Sequence, residues 1–217
     1  MVIKLYKNDL SPPARATMMV TELIKVPVQM VDVDLMKAEH MEPVFLKKNP
    51  AHLIPVLEDG DLTVTDSHAI VTYLLEAYGT DDTLYPKDPK KRAIVNQMLH
   101  FDNGILFQRL RNVTYFVILE GLKKPAERQL SDITEAFGYV EEYLTRQKWI
   151  AGDNMTVADI CAVATVTGLH NVLPIDPKKY PKIKAWISEM EKKPFYQKQS
   201  APGNAVYAKL LKDLMSS

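Results

Sequence analysis

At 217 residues the chain is long enough for one large domain or two small ones, and either can bury a core. Its 27 basic residues balance 27 acidic ones, and neither a basic run nor a bilayer-length apolar stretch occurs, so no nucleic-acid and no membrane partner is expected. Cys161 is the single cysteine, which excludes an intrachain disulfide, a CxxC pair and a cysteine metal cluster; Lys4 and Lys7 break up any apolar leader, so the expected location is cytoplasmic and the expected metal content none.

Residues 2–6 read as a first strand. Ser11-Pro12-Pro13 then signals a helix start, a hydroxyl cap followed by prolines where a missing N–H does no harm, and Ala16, Met19, Val20, Leu23 and Ile24 recur at helical spacing. Residues 28–34 alternate as a second strand, and residues 37–48 are weakly helical, mostly loop. Strands at 54–58 and 62–65 follow, joined across Asp59-Gly60 by a tight hairpin. The next helix carries Ala69, Ile70, Tyr73, Leu74 and Ala77 on one face and stops at Gly79. Residues 80–89 hold prolines and acids without periodicity and read as a linker. Everything beyond is helical. Leu130, Ile133, Phe137, Val140 and Leu144 form one stripe, and Ile183, Trp186, Ile187 and Met190 another. Between them Thr156-Val157-Ala158-Asp159 has the form of a capping box that opens an apolar helix through Leu169. The fold class expected is α/β plus all-α. Residues 1–79 match a thioredoxin-like order, 80–89 link, and 90–217 are all-helical.

Two short segments carry the most chemistry. Asn49 to Leu57 ends a loop on Ile54-Pro55 and enters a strand; nine residues later, Asp66-Ser67-His68-Ala69-Ile70 puts an acid and a hydroxyl at a helix start. Ser67 and the first free N–H groups suit a carboxylate, and Asp66 suits an adjacent ammonium, so an α-amino acid end fits the pair. Ile54 before Pro55 can offer its backbone to an extended peptide. Ser11 caps its helix by local pattern; its functional reading is a hydroxyl donating to a bound thiolate. Moving a thiol from about 8.5 to about 7 needs roughly 2 kcal/mol, within the roughly 1.5–3 kcal/mol of one charge-assisted hydrogen bond. A redox enzyme would need a cysteine where Ser11 stands, while Cys161 reads as a small buried hydrophobe. His40 and His52 are loop histidines without metal spacing. Phe107, Leu110, Arg111, Thr114 and Ile118 fall on one helical face, where Arg111 calls for a partner or a ligand.

The chain resembles the cytosolic glutathione S-transferases, similar to the insect delta and epsilon classes and more to epsilon. The motifs are Leu10-Ser11-Pro12-Pro13-Ala14-Arg15, Asn49 to Leu57, Asp66 to Ile70, Leu84-Tyr85-Pro86-Lys87-Asp88 and Thr156-Val157-Ala158-Asp159; their order and spacing are specific, and they cover essentially the whole length. The resemblance implies a glutathione-binding thioredoxin-like domain, a helical domain for a hydrophobic electrophile, a homodimer, and a cis Ile54-Pro55 bond. Ser11 matches the catalytic serine. Ser11, His40, His52, Leu53, Ile54, Pro55, Asp66, Ser67 and His68 match the glutathione site. Leu10, Pro13, Leu35, Phe107, Leu110, Arg111, Thr114 and Ile118 fall where the electrophile pocket is lined. Asp66 stands where many relatives have Glu, and Ala51 and Leu53 where Gln and Thr are common. The function implied is conjugation of reduced glutathione to hydrophobic electrophiles, as in detoxification. Alternatives are a hydrophobic-ligand carrier or a glutathione-dependent isomerase or dehydrochlorinase on the same scaffold.

Overall fold

A computed structural model describes residues 2–216. Strand β1 (Ile3–Lys7) leads through helix α1 (Pro12–Ile24) to β2 (Val28–Asp32), which pairs parallel to β1. A three-residue 3-10 turn, Glu39–Met41, and the short α2 (Pro43–Leu46) occupy the stretch expected to be mostly loop. Strands β3 (Val56–Asp59) and β4 (Leu62–Thr65) form the hairpin, and β3 lies antiparallel to β1. The sheet order is β2-β1-β3-β4.

Strand β3 begins at Val56 rather than at Ile54. Proline has no N–H to give a ladder, and the Ile54-Pro55 bond is cis, as expected. The second strand likewise ends at Asp32, short of residue 34. The next helix, α3 (Ser67–Tyr78), buries Ser67, Ile70, Val71, Leu74 and Leu75. Its inward face therefore takes in Val71 and Leu75 beside Ile70 and Leu74 of the expected stripe, while Ala69 and Ala77 at the ends of that stripe are exposed.

Alternation along β1 divides the packing. Ile3 and Leu5 join α1, α3 and the helical half in one continuous core, and Tyr6 faces a small second cluster of Val33, Phe45 and Val56 under α2. A fully buried residue such as Leu74 contributes about 1.5–3 kcal/mol to that core.

Residues 79–88 contain no helix or strand, and Asp88 caps α4 (Pro89–Phe101). Then comes a π-helical turn, Asp102–Leu106, and the rod continues as α5 (Phe107–Leu119). The remaining helices are α6 (Glu127–Arg146), α7 (Val157–Val172), α8 (Pro181–Glu191), α9 (Pro194–Gln199) and α10 (Ala201–Ser216). Helix α7 is buried on all sides from Val157 to Leu169, as its nearly unbroken apolar sequence requires. The capping box forms as read: the Asp159 carboxylate accepts from the Thr156 N–H at 2.8 Å, and also from the Ile150 N–H and the Trp186 indole. Burial pushes the Asp159 pKa up to about 6 despite those donors. No helix among the described residues is long and apolar enough to cross a membrane.

Candidate active site

Two adjoining cavities open where the sheet meets the helical half. The first, of about 380 Å³, is walled by Leu53, Ile54 and Pro55, by Asp66, Ser67 and His68 at the start of α3, by Asp102 and Asn103 of the π turn, and by Cys161 and Thr165 of α7. The second, of about 200 Å³, brings together Leu10, Ser11, Pro13, Leu35, Phe107, Leu110, Arg111, Thr114 and Ile118, with Met36, Tyr207 and Leu210 added. Pro13, Phe107 and Arg111 border both. Every residue assigned from the resemblance to an electrophile pocket therefore meets in one largely apolar cavity.

Asp66 has φ of 77°, a conformation that Asp and Asn tolerate better than other side chains. It caps α3, its Oδ1 accepting from the His68 and Ala69 N–H groups at 2.9 and 3.1 Å. Its Oδ2 accepts from the Asn103 amide at 3.0 Å. Backbone strain held at a cavity wall marks the acid as a functional candidate.

Ser67 is buried at the cavity edge, its hydroxyl 3.3 Å from the His68 Nδ1. The His68 Nε2 lies 2.9 Å from Asp102 Oδ2, and Asp102 is 2% exposed. Burial alone would lower the His68 pKa, but the hydrogen bond and charge of Asp102, with Asp66 behind them, outweigh it and raise the imidazole above its ordinary value. The other Asp102 oxygen is buried without a partner among the described residues. Sequence reasoning missed Asp102 and Asn103. Their only signal is Asn103-Gly104, a helix-weakening pair inside an apolar pattern; the π turn at that point shifts the helical phase and carries both residues to the cavity wall.

Ser11 is partly buried and caps α1 through a long contact, its Oγ accepting from the Ala14 N–H at 3.4 Å. The cap uses an oxygen lone pair, so the hydroxyl proton is free to donate. Ser11 borders the apolar cavity rather than the polar one. His40 and His52 wall neither cavity; their rings lie 6.1 Å apart, and His52 stands between the lining residues Ala51 and Leu53. His40 Nδ1 is buried without a partner, and burial, then the neighbouring His52, lowers its pKa. Cys161 is buried as expected, and burial pushes its thiol pKa well up, yet it forms part of the first cavity's wall.

Residues 1–76 match the family model described as glutathione S-transferase, N-terminal domain, and residues 69–194 match that for the C-terminal domain. The chain belongs to the glutathione S-transferase family. Among relatives of this transferase, glutathione S-transferase 1 of Manduca sexta is 47% identical over all of this chain and 99% of its own length. Glutathione S-transferase D6 of Drosophila melanogaster is 38% identical over 87% of this chain and 86% of its own. Among solved structures, an epsilon-class glutathione S-transferase from the housefly Musca domestica superposes with a TM-score of 0.95 at 38% identity, covering 98% of each chain. A glutathione transferase homologue from Drosophila mojavensis, with bound glutathione, also reaches 0.95 at 37% identity, over 98% of this chain and 97% of that one.

Proposed function

We propose that this transferase conjugates reduced glutathione to hydrophobic electrophiles, with Ser11 stabilising the glutathione thiolate. The observation that carries the reading is the shared wall of the two cavities: one that gathers Asp66, Ser67, His68, Asp102 and Asn103, and a largely apolar one that Ser11 borders. Glutathione takes the first cavity. Its γ-glutamyl carboxylate meets Ser67 and the N-terminus of α3, its ammonium meets Asp66, its backbone runs along Leu53, Ile54 and Pro55, and His40 and His52 serve its far end. The sulfur then falls at the seam, within reach of Ser11.

The Ser11 hydroxyl donates to the thiolate, and the N-terminus of α1 adds a few tenths to 1 kcal/mol, enough to bring the thiol pKa down to about 7, so that the thiol releases its proton to solvent. The sulfur lone pair forms the S–C bond with the electrophile held among Leu10, Leu35, Phe107, Leu110 and Ile118, and the leaving group departs with the C–X pair. Arg111 forms no ion pair among the described residues, and its guanidinium lies 5.9 Å from the Tyr115 ring. Bordering both cavities, it supplies positive charge where negative charge moves from sulfur onto the electrophile.

The proposal extends to a cytoplasmic homodimer acting in detoxification, with residues 1–79 as the glutathione domain, 80–89 as linker and 90–217 as the electrophile domain. Steady-state conjugation of a generic aryl halide tests the activity, and Ser11→Ala tests the mechanism. The variant should lose one to two orders of magnitude of turnover, the loss of a single bond of about 1.5–3 kcal/mol, with glutathione affinity changed much less. Glutathione binding without conjugation of any electrophile would instead favour a carrier.

A further inference from the structure

Arg15 stands four residues after Ser11 on α1, is 0% exposed, and has no carboxylate partner among the described residues. Helical side chains lean towards the N-terminus, so a residue at this spacing lies directly behind Ser11. The contacts bear this out. Its Nη1 donates to the Asp9 and Leu10 carbonyls at 3.1 and 3.0 Å, the two residues leading into Ser11. Its Nη2 donates to Asn204 Oδ1 of α10 at 3.2 Å, the guanidinium lies 5.8 Å from the Tyr207 ring, and Nε has no partner. Gly203 permits this approach, since a Cβ there would meet the Asp9 carbonyl at 2.3 Å and the Arg15 Cδ at 3.1 Å.

The acid whose charge reaches it, Asp9, is engaged by Lys7 at 2.7 Å. The other titratable groups facing the guanidinium are Tyr196 of α9 and Tyr207 of α10, phenols neutral near pH 7 that burial raises further. A cation taken out of water without a counter-charge is expensive, and burial draws Arg15 down to about 10. Such a charge is retained where something uses its field.

We propose that Arg15 is a positioning residue of this transferase, holding the Asp9-Leu10-Ser11 turn and lending its charge to the glutathione thiolate that Ser11 receives. The inference rests on the thiolate role proposed for Ser11. Its field adds to the positive end of α1 and to Arg111, the charged side chain that lines the apolar cavity beside Ser11.

The test compares Arg15→Met, Arg15→Lys and Asn204→Asp by the pH dependence of kcat/KM and by thiolate absorbance of the glutathione-saturated proteins. Asn204→Asp keeps the arginine and neutralises it, because Oδ1 already accepts from both Arg15 and Asn171, at 3.2 and 3.0 Å. Met and Asp should raise the thiolate pKa by about half to one unit, a roughly three- to tenfold loss of kcat/KM below that pKa that recovers at high pH. Lysine should keep the wild-type pKa while lowering Tm. An unshifted pKa in Asn204→Asp, or a loss equal at every pH, overturns the role of Arg15, and Asn204→Asp decides it if Arg15→Met does not fold. Ser11→Ala serves as the control. If it shifts the profile while Asn204→Asp does not, only the Arg15 proposal fails; if it leaves the profile unmoved, the thiolate reading fails with it.

Discussion

Asp66→Asn separates a helix cap from a ligand contact at a single position. The cap survives, because Oδ1 remains to accept from His68 and Ala69, Asn and Asp are equivalent N-caps, and Asn tolerates the positive φ of 77°. The new amide faces the Asn103 amide that now donates to Oδ2, and a flip of Asn103 restores that bond. Stability should therefore change by about 0.5 kcal/mol or less, roughly 1–2 °C in Tm for a chain of this size. What disappears is the negative charge of the proposed contact with the glutathione ammonium. A charge-assisted bond is worth about 1.5–3 kcal/mol, and the Asp66 side chain is 47% exposed, which places the loss near the lower figure. The expected result is a KM for glutathione raised about tenfold with a much smaller fall in kcat, since the contact exists in ground and transition states alike. Asp66→Ala, by contrast, loses the cap and the tolerated φ, together about 2 kcal/mol, and should lower Tm by about 4–8 °C. Initial-rate kinetics over a glutathione series, with melting curves on the same samples, give both readouts. A folded Asp66→Asn protein that saturates with glutathione as the wild type does would show that this acid only caps α3.

Three further perturbations follow from the geometry. The His68 pKa is raised by Asp102, so the stabilisation is fully present below the ordinary value of 6.5 and is lost as pH rises through the folded value; the Tm advantage over His68→Gln should shrink from pH 6 to alkaline pH, and a constant difference would deny the pair a charged state. Asp159, pushed from 3.8 to about 6, holds its proton longer folded than unfolded, so its contribution falls as pH rises between those values; Asp159→Asn should remove that slope and, by leaving the Thr156 N–H without its acceptor, cost about 1–3 kcal/mol in melting experiments, whereas an unchanged slope would place the titration elsewhere. Gly168→Ala puts a Cβ 2.7 Å from Leu110 Cδ2, and its helix-propensity gain of about 1 kcal/mol opposes an overpacking cost of about 1–3; displaced Leu110 should narrow the apolar cavity, raising KM for bulky electrophiles but not for glutathione, and an unchanged preference between bulky and small electrophiles would count against that cavity as the electrophile site.

What the sequence made legible was local. Prolines at Pro12 and Pro13, the hydroxyl at Ser11, the acid at Asp66 and the capping box at Thr156 act within a single turn, and each helix starts where those signals place it. Faces were harder. Ala69 and Ala77 carry so little apolar area that the inward side of α3 was settled by Val71 and Leu75, whose preference only the packing against α1 and the helical half decides. The meeting of residues 10–13, Leu35 and residues 107–118 in one cavity has no local signature at all; it came from resemblance to a family, not from periodicity.

The least legible residues were polar ones whose setting is tertiary. Asp102 and Asn103 look like ordinary surface positions in a helical pattern until the π turn rotates them onto the wall that faces His68 and Asp66. Arg15 looks like a solvated cation until α10 closes over it through Gly203 and Asn204. In both places the chain buries charge close to the proposed site: Asp102 lines the first cavity, and Arg15 braces the carbonyls of Asp9 and Leu10, just before Ser11. That placement follows from the chemistry proposed: a thiolate needs positive potential, an ammonium needs a carboxylate, and an apolar electrophile needs neither. On the proposed reading, the site sets Asp66, Asp102 and Arg15 away from the reacting atoms and leaves Ser11 and Arg111 to face them.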